Sequence, residues 1–171
     1  MGWPSWAADE LKRINKAHPP PAFPPIPGLA DSLQGYHLRN TILAILTSRD
    51  RESLERRLAE AGINKDLFEI IQGLNDSEFT KPDPRVFDQM IDEYLAPLGI
   101  SISEILFVGD IIISDWDAAR NHNPQIPFVG ITGGDRGVVS REEFVAAGVP
   151  EEFILETAVE LPRLIDSLEW D

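Results

Sequence analysis

Apolar positions along this chain fall into two spacings, one continuous and one helical, and the two alternate. Thr41-Ile-Leu-Ala-Ile-Leu46 is an unbroken apolar run of strand length. Residues 50–61 follow with Leu54, Leu58 and Ala61 on one helical face, and Gly62 as a stop. Phe68-Glu-Ile-Ile71 predicts a short second strand. Apolar pairs at Val86/Phe87, Met90/Ile91 and Tyr94/Leu95 predict a helix over 84–97. Ile105-Leu-Phe-Val108 reads as a third strand, 115–122 as a short helix, and Pro127-Phe-Val-Gly-Ile131 as a fourth strand. Ser140 caps a helix that runs to Ala147, with Glu143 placed to complete a capping box. Phe153-Ile-Leu155 is a fifth strand, and a helix over 158–168 closes the chain.

Strands alternating with helices of about ten residues imply right-handed crossovers and a parallel sheet covered on both faces. Strands buried on both faces should be continuously apolar, and 41–46 and 105–108 are. Three helices end alike, at Ala61-Gly62-Ile63, Leu98-Gly99-Ile100 and Ala147-Gly148-Val149, where glycine supplies the left-handed turn into the next strand. The fold class is α/β, a doubly wound parallel sheet.

The first quarter of the chain differs from this pattern. Residues 5–17 read as a short helix capped by Ser5. Six of the fourteen prolines lie between Pro19 and Pro27, which favours an extended polyproline strap. The domain division read from this is 1–27 for the helix and strap, and 28–171 for the α/β body. Two tryptophans, Trp3 and Trp6, lie outside the regular body and are expected to bury against a sheet edge or a partner.

Charge and composition narrow the chemistry. The 171 residues carry 15 Lys+Arg against 29 Asp+Glu, a formal net charge of −14. Residues 1–40 net +1, so the acidity belongs to the rest. That field has the wrong sign for a nucleic-acid partner held through phosphates. With no cysteine, disulfides, thiol catalysis and thiolate-held zinc are excluded. The three histidines, His18, His37 and His122, show no ligand spacing and are expected to be structural or solvated. No run of 18 apolar residues exists to span a membrane, and no secretory signal is visible, so a cytoplasmic location is expected.

In open parallel sheets ligands sit beyond the carboxyl ends of the strands. There the chain places Thr47-Ser48 after the first strand and Thr80-Lys81-Pro82-Asp83-Pro84 beyond the second. Gly109-Asp110, with Asp115 and Asp117 close behind, follows the third, and Thr132-Gly133-Gly134-Asp135 follows the fourth. A hydroxyl pair, a proline-braced lysine and a carboxylate cluster on one rim suit a phosphoryl group with a divalent cation. Taken singly, each has a plainer reading: a helix cap, a solvated lysine, a turn, acids at a helix start.

The order strand–Thr-Ser, Lys-Pro-Asp-Pro, strand–Gly-Asp-x₄-Asp resembles the haloacid dehalogenase (HAD) superfamily of hydrolases, in particular its phosphoglycolate-phosphatase-like branch. The matching text is ILAILTSRDRESLERRLAEAGI, FTKPDPRVF, ILFVGDIIISDWDAARN and VGITGG…SREEFVAAGVPEEFILETAVELPRLI, over about residues 27–168. The resemblance implies hydrolysis of a phosphate monoester with Mg²⁺. It makes Thr47 the hydroxyl that binds a phosphoryl oxygen, with Ser48 its neighbour. Lys81 becomes the lysine that steadies nucleophile and phosphoryl group, and Asp110 and Asp115 the acids of the magnesium motif.

The family's first motif, Asp-x-Asp-x-Thr, carries its nucleophile, and these 171 residues contain no such motif before Thr47. Asp115-Trp-Asp117 mimics it, but the Gly109-Asp110 before it and the Ala118-Ala119-Arg120-Asn121 after it belong to the fourth motif. The resemblance also implies that the first strand, central in the family, is absent here between 41–46 and 105–108. Those two strands then pair directly, or the N-terminal segment, a second copy or a partner chain fills the gap; the family's cap is reduced to residues 1–26. Two functions stay open. One is a phosphatase-lineage protein acting on a small phosphorylated substrate with a nucleophile supplied from elsewhere. The other is a non-catalytic HAD-like binding or interaction module. A receiver-like signalling domain shares the architecture, but no acid directly follows the 41–46 strand.

Overall fold

The computed structural model describes residues 25–133 and 139–168. The expected helix over 5–17, Trp3, Trp6, His18 and most of the proline run lie outside the described residues. Five short strands carry the fold: β1 (Ala44–Leu46), β2 (Ile70–Gln72), β3 (Phe107–Gly109), β4 (Phe128–Ile131) and β5 (Ile154–Leu155). All their pairings are parallel, as continuous apolar runs joined by helices require.

The helices are α1 (Leu29–Leu38), α2 (Arg51–Glu60), α3 (Val86–Asp88), α4 (Asp117–His122), α5 (Arg141–Ala147) and α6 (Leu161–Ile165). Helix α3 runs on as wide π-type turns over Gln89–Leu95, a departure from the regular helix expected there. Its apolar pairs recur every four residues, and i→i+5 winding keeps such a stripe closer to one line than 3.6 residues per turn would. Gly99 ends it at φ 78°, and Gly62 and Gly148 play the same part at φ 69° and 97°. The capping box at Ser140 and Glu143 is formed.

Helix α1 is absent from the sequence-based expectations. Its cues, Leu29, Leu33 and Tyr36, are interrupted by Gly35, and of its residues only Tyr36 is buried. The second strand also starts later than expected, at Ile70. Glu69 instead turns its carboxylate back to accept the Leu43 N–H at 3.0 Å.

The sheet is in two parts. β1 pairs with β2, and β3 pairs with β4, which pairs with β5; among the described residues no ladder joins β1 to β3. Of the two outcomes expected for a missing central strand, direct pairing is therefore not the one found. A single helical floor underlies both parts. Phe87, Met90, Ile91 and Leu95 cluster with Ala118 and Ala119 of α4 and with Ile70, and both Leu46 of β1 and Phe107 of β3 pack on that cluster. Phe87 meets Phe107 edge to face at 5.0 Å. A second cluster, Phe128, Phe144, Val149 and Ile154, holds β4 and β5 to α5.

Burial follows the break. All four residues of β4 are buried, and so are Ile70 and Gln72 of β2. Ala44 in β1 is exposed, and the rest of β1 and all of β3 are only half-buried, although both strands read as interior ones. No helix among the described residues is long and apolar enough to cross a membrane.

Candidate functional site

The rim above β3 is organised by one carboxylate. Asp115 is 3% exposed, and its two oxygens accept four hydrogen bonds. Oδ2 takes the backbone N–H groups of Asp110 at 3.1 Å and Ile111 at 3.0 Å. Oδ1 takes Ser114 Oγ at 3.2 Å and Lys81 Nζ at 2.5 Å. The chain can wrap an acid this tightly because it leaves β3 through Gly109; a Cβ there would overlap the Asp115 side chain. A π-type turn over Ile112–Trp116 then carries Asp115 back under the loop it holds.

Lys81 arrives from the connection after β2. Its side chain is 12% exposed and lies over the Phe107 ring, with Nζ 5.6 Å from the centroid. The connection is braced on each side. The Lys81–Pro82 bond is cis, and Asp83 holds Arg85 through a two-pronged pair at 3.0 and 2.6 Å, while Arg85 stacks on Phe79 at 3.9 Å. The guanidinium and backbone N–H of Arg85 hold the Asp83 carboxyl below its ordinary range. Further back, Gln72, 2% exposed, donates to the Val86 carbonyl at 2.8 Å and ties β2 to α3. Arg51 joins the Ile71 carbonyl to Asp76 at 3.0 and 2.9 Å.

Thr47 closes the rim above β1. Its N–H donates to the Gln72 carbonyl at 3.0 Å, and its Oγ1 accepts the Arg49 N–H at 3.2 Å. Asp50 then caps α2 by accepting the Ser53 N–H at 2.8 Å. Ser48, between them, is exposed.

Thr47, Ser48, Lys81, Asp110 and Asp115 all line one cleft of about 220 Å³, together with Ser114. Every site residue expected from the sequence is thus placed at a single opening. The carboxylates that line it are Asp110 and Asp115; Asp117, one helical step on, does not. Thr132 and Gly133, after the fourth strand, do not line the cleft and donate their N–H groups to the Leu155 and Glu156 carbonyls beside β5; Gly134 and Asp135 lie outside the described residues. A larger, open depression of about 540 Å³ lies elsewhere, among Asp76, Glu78, Arg85, Asp88 and Glu93. Its lining sets four acids against Arg85, whereas the smaller cleft pairs hydroxyls and Lys81 with Asp110 and Asp115.

Ser114 and Gln72 were not singled out from sequence. Nothing in the identity of a serine or a strand-end glutamine marks it as a brace; only the folded hydrogen bonds do. The histidines are structural where described: His122 stacks on Phe87 and faces Asp88 at 3.3 Å, and His37 faces Glu69 at 3.7 Å. Trp116 packs on Phe128 and donates its indole N–H to the Ala147 carbonyl at 3.0 Å.

Chemically, the cleft offers hydroxyl donors, an ammonium and two carboxylates within one small volume. That set suits a tetrahedral oxyanion accompanied by a hard cation.

Comparison with known proteins gives the same picture. A family model described as haloacid dehalogenase-like hydrolase matches residues 4–130. Pyrophosphatase PpaX of Halalkalibacterium halodurans is 28% identical over 99 residues, which are 58% of this chain and 44% of that protein. The chain therefore spans less than half the length of this curated relative. Among solved structures, a hydrolase from Pseudomonas syringae superposes with a TM-score of 0.69 at 22% identity, over 99% of this chain and 73% of that one. A predicted phosphoglycolate phosphatase from Haemophilus somnus 129PT gives 0.63 at 21% identity, over 81% and 56%. At these identities the structural matches speak for the fold.

Proposed function

Because the chain belongs to the haloacid dehalogenase-like hydrolase family, we propose that its rim cleft holds the phosphoryl group of a small phosphate monoester, the substrate of a phosphatase. The observation that carries this reading is the convergence of Thr47, Ser48, Lys81, Asp110 and Asp115 on one cleft from three separate strand ends. Thr47 and Ser48 donate hydroxyls to phosphoryl oxygens. Lys81, held in place by Asp115, sets a positive charge against the phosphoryl group and its developing negative charge.

Mg²⁺ fits this cleft in a restricted way. Among the described residues no group of three acidic or histidine side chains is placed to hold a metal. Asp115 has all four of its hydrogen bonds directed to the protein, and would reach an ion only by releasing Lys81 or Ser114. Asp110, which lines the cleft, is the acid that would hold the ion. When bound, the ion supplies charge neutralisation at the phosphoryl oxygens. Hydrolysis replaces the ester P–O bond with one to water and needs a nucleophile at phosphorus. These 171 residues carry no Asp-x-Asp-x-Thr to provide it.

Thermal denaturation of the 171-residue chain with inorganic phosphate and Mg²⁺ tests the binding. At a hundred times Kd a ligand adds about 2.7 kcal/mol, or roughly 5–10 °C in a domain of this size. The rise should vanish in Lys81→Met and shrink in Thr47→Val. A melting curve indifferent to phosphate refutes the reading.

A second reading, a non-catalytic HAD-like module, rests on the missing first motif. Turnover of p-nitrophenyl phosphate by the purified chain, abolished by Asp110→Asn, would exclude it.

A further inference from the structure

Gln72 is a polar side chain in an apolar place. It ends β2 after Ile70 and Ile71, and it is 2% exposed. Its Nε2 donates to the Val86 carbonyl at 2.8 Å. Its Oε1 is buried with no hydrogen-bond partner among the described residues. Turning the amide over would set Oε1 against the Val86 carbonyl, so the donor contact fixes which way the group faces. An acceptor stranded in the interior costs more than one neutral hydrogen bond contributes. Methionine has nearly the same length and would leave no polar atom unpaired in that space. Stability alone therefore gives no reason for glutamine here, and such a group calls for another explanation.

What Gln72 holds supplies one, because it is bonded toward both arms of the cleft. Its backbone carbonyl accepts the Thr47 N–H at 3.0 Å, one step beyond the Leu46–Gln72 register of the β1–β2 ladder. Its side chain holds Val86, the first residue of α3. From Val86 a run of tight turns leads back to Lys81. The Val86 N–H donates to the Asp83 carbonyl at 3.2 Å, and the Asp83 N–H to the Thr80 carbonyl at 2.9 Å. A packed route runs beside the turns: Phe87 meets the Phe107 ring edge to face, and Lys81 Nζ lies over that ring. Thr47 and Lys81 reach the cleft from different strand ends, and this one buried residue, which does not line the cleft itself, ties both.

We infer that Gln72 is a positioning residue: its side-chain amide sets Lys81 against Thr47 for an anion in the cleft, at a cost to the stability of the fold. The inference rests on the phosphoryl-binding reading above. An apolar side chain at 72 leaves the Thr47 bond in place, since that bond is to the backbone, and frees only the Lys81 side.

The test sets stability against affinity in the full 171-residue chain. Gln72→Met should keep or raise the urea midpoint, yet bind inorganic phosphate with Mg²⁺ about fivefold more weakly by calorimetry, the factor carried by one neutral hydrogen bond. In the ligand-free variant the Lys81 ammonium resonance, assigned by its absence in Lys81→Met, should shift. Ile70→Val, buried in the same strand without a polar tie to either arm, should do the opposite: a lower midpoint, with phosphate affinity within about twofold of the parent. Should Gln72→Met fail to fold by circular dichroism, Gln72→Leu takes its place, and failure of both marks a purely structural residue and overturns the inference. It is also overturned if Gln72→Met loses stability and affinity together, as a structural residue would. A parent that binds phosphate and a Gln72→Met that binds it equally well overturn this inference alone. A parent that does not respond to phosphate overturns the phosphoryl reading, and this inference with it.

Discussion

Replacing Asp115 by Asn tests whether the rim is held by one preorganised carboxylate. The amide keeps the shape but offers one accepting oxygen in place of two. If that oxygen stays with the Asp110 and Ile111 N–H groups, the NH₂ group faces Lys81 and Ser114. Ser114 can rotate to accept, but the ammonium cannot. If the amide turns over, two backbone donors lose their partner instead. Breaking a buried ion pair from one side costs about 3–5 kcal/mol. The low end applies, about 3 kcal/mol, because Lys81 is 12% exposed and can swing toward water. Lys81→Met removes one of four donors and leaves the carboxylate with three, so about 1–2 kcal/mol is expected. With a urea m-value of roughly 2 kcal/mol/M, the midpoints should fall by about 1.5 M and about 0.5–1 M respectively. The double variant should cost about 1–2 kcal/mol less than the sum, since each single change already breaks the shared bond. Equal costs, the reverse order, or strict additivity would refute the account of Asp115 as the centre of the rim.

Gly109→Ala should destabilise by about 2–3 kcal/mol in the same urea assay, because its Cβ meets the Asp115 side chain with no flexible end to move aside. The N–H and hydroxyl of Ser140 hold the Glu143 carboxyl below its ordinary 4.5. The stabilisation it gives α5 is therefore complete above pH 4.5 and lost as pH falls through the lower folded value; melting temperatures of the parent and Glu143→Gln should converge in acid. Burial, and then the Asp166 charge, push the Tyr36 phenol from 10.0 to about 12. The unfolded chain ionises first, so stability should drop as pH rises from 10.0 toward 12, and a Tyr36→Phe variant should lack that component of the drop. Because the Tyr36 hydroxyl is buried with no hydrogen-bond partner among the described residues, the same variant should be no less stable at neutral pH.

Much of the architecture was legible because it depends on one-dimensional signals. The continuous apolar runs marked all five strands to within a few residues, and glycine after each of three helices marked their ends. The Ser140–Glu143 spacing gave a cap that the fold forms. Helix α1 escaped because its apolar face is thin, with Tyr36 alone buried, and Gly35 interrupts it. The π-type winding after α3 escaped because a four-residue period was read as a loose α-helix. At the rim, reading the residues after each strand found Thr47, Ser48, Lys81, Asp110 and Asp115 of the cleft but not Ser114, since sheet topology alone brings strand ends together. It did not find how Asp115 spends its oxygens, because that depends on backbone N–H directions set by the turn after Gly109.

The break between β1 and β3 gives that carboxylate a second consequence. Among the described residues no ladder connects the two half-sheets, and the shared floor and links across the top join them. Lys81 comes from the β2 side and Asp115 from the β3 side, which makes their ion pair a tie between the halves as well as a feature of the cleft. On the proposed phosphatase reading, a phosphoryl group touching Thr47 on one half and Lys81 on its tether would add another tie of the same kind. Each favours the same arrangement of the halves, and free energies of binding to a common arrangement are reciprocal. Whatever factor the Lys81–Asp115 pair contributes to phosphate affinity, phosphate must return to the stability of that pair.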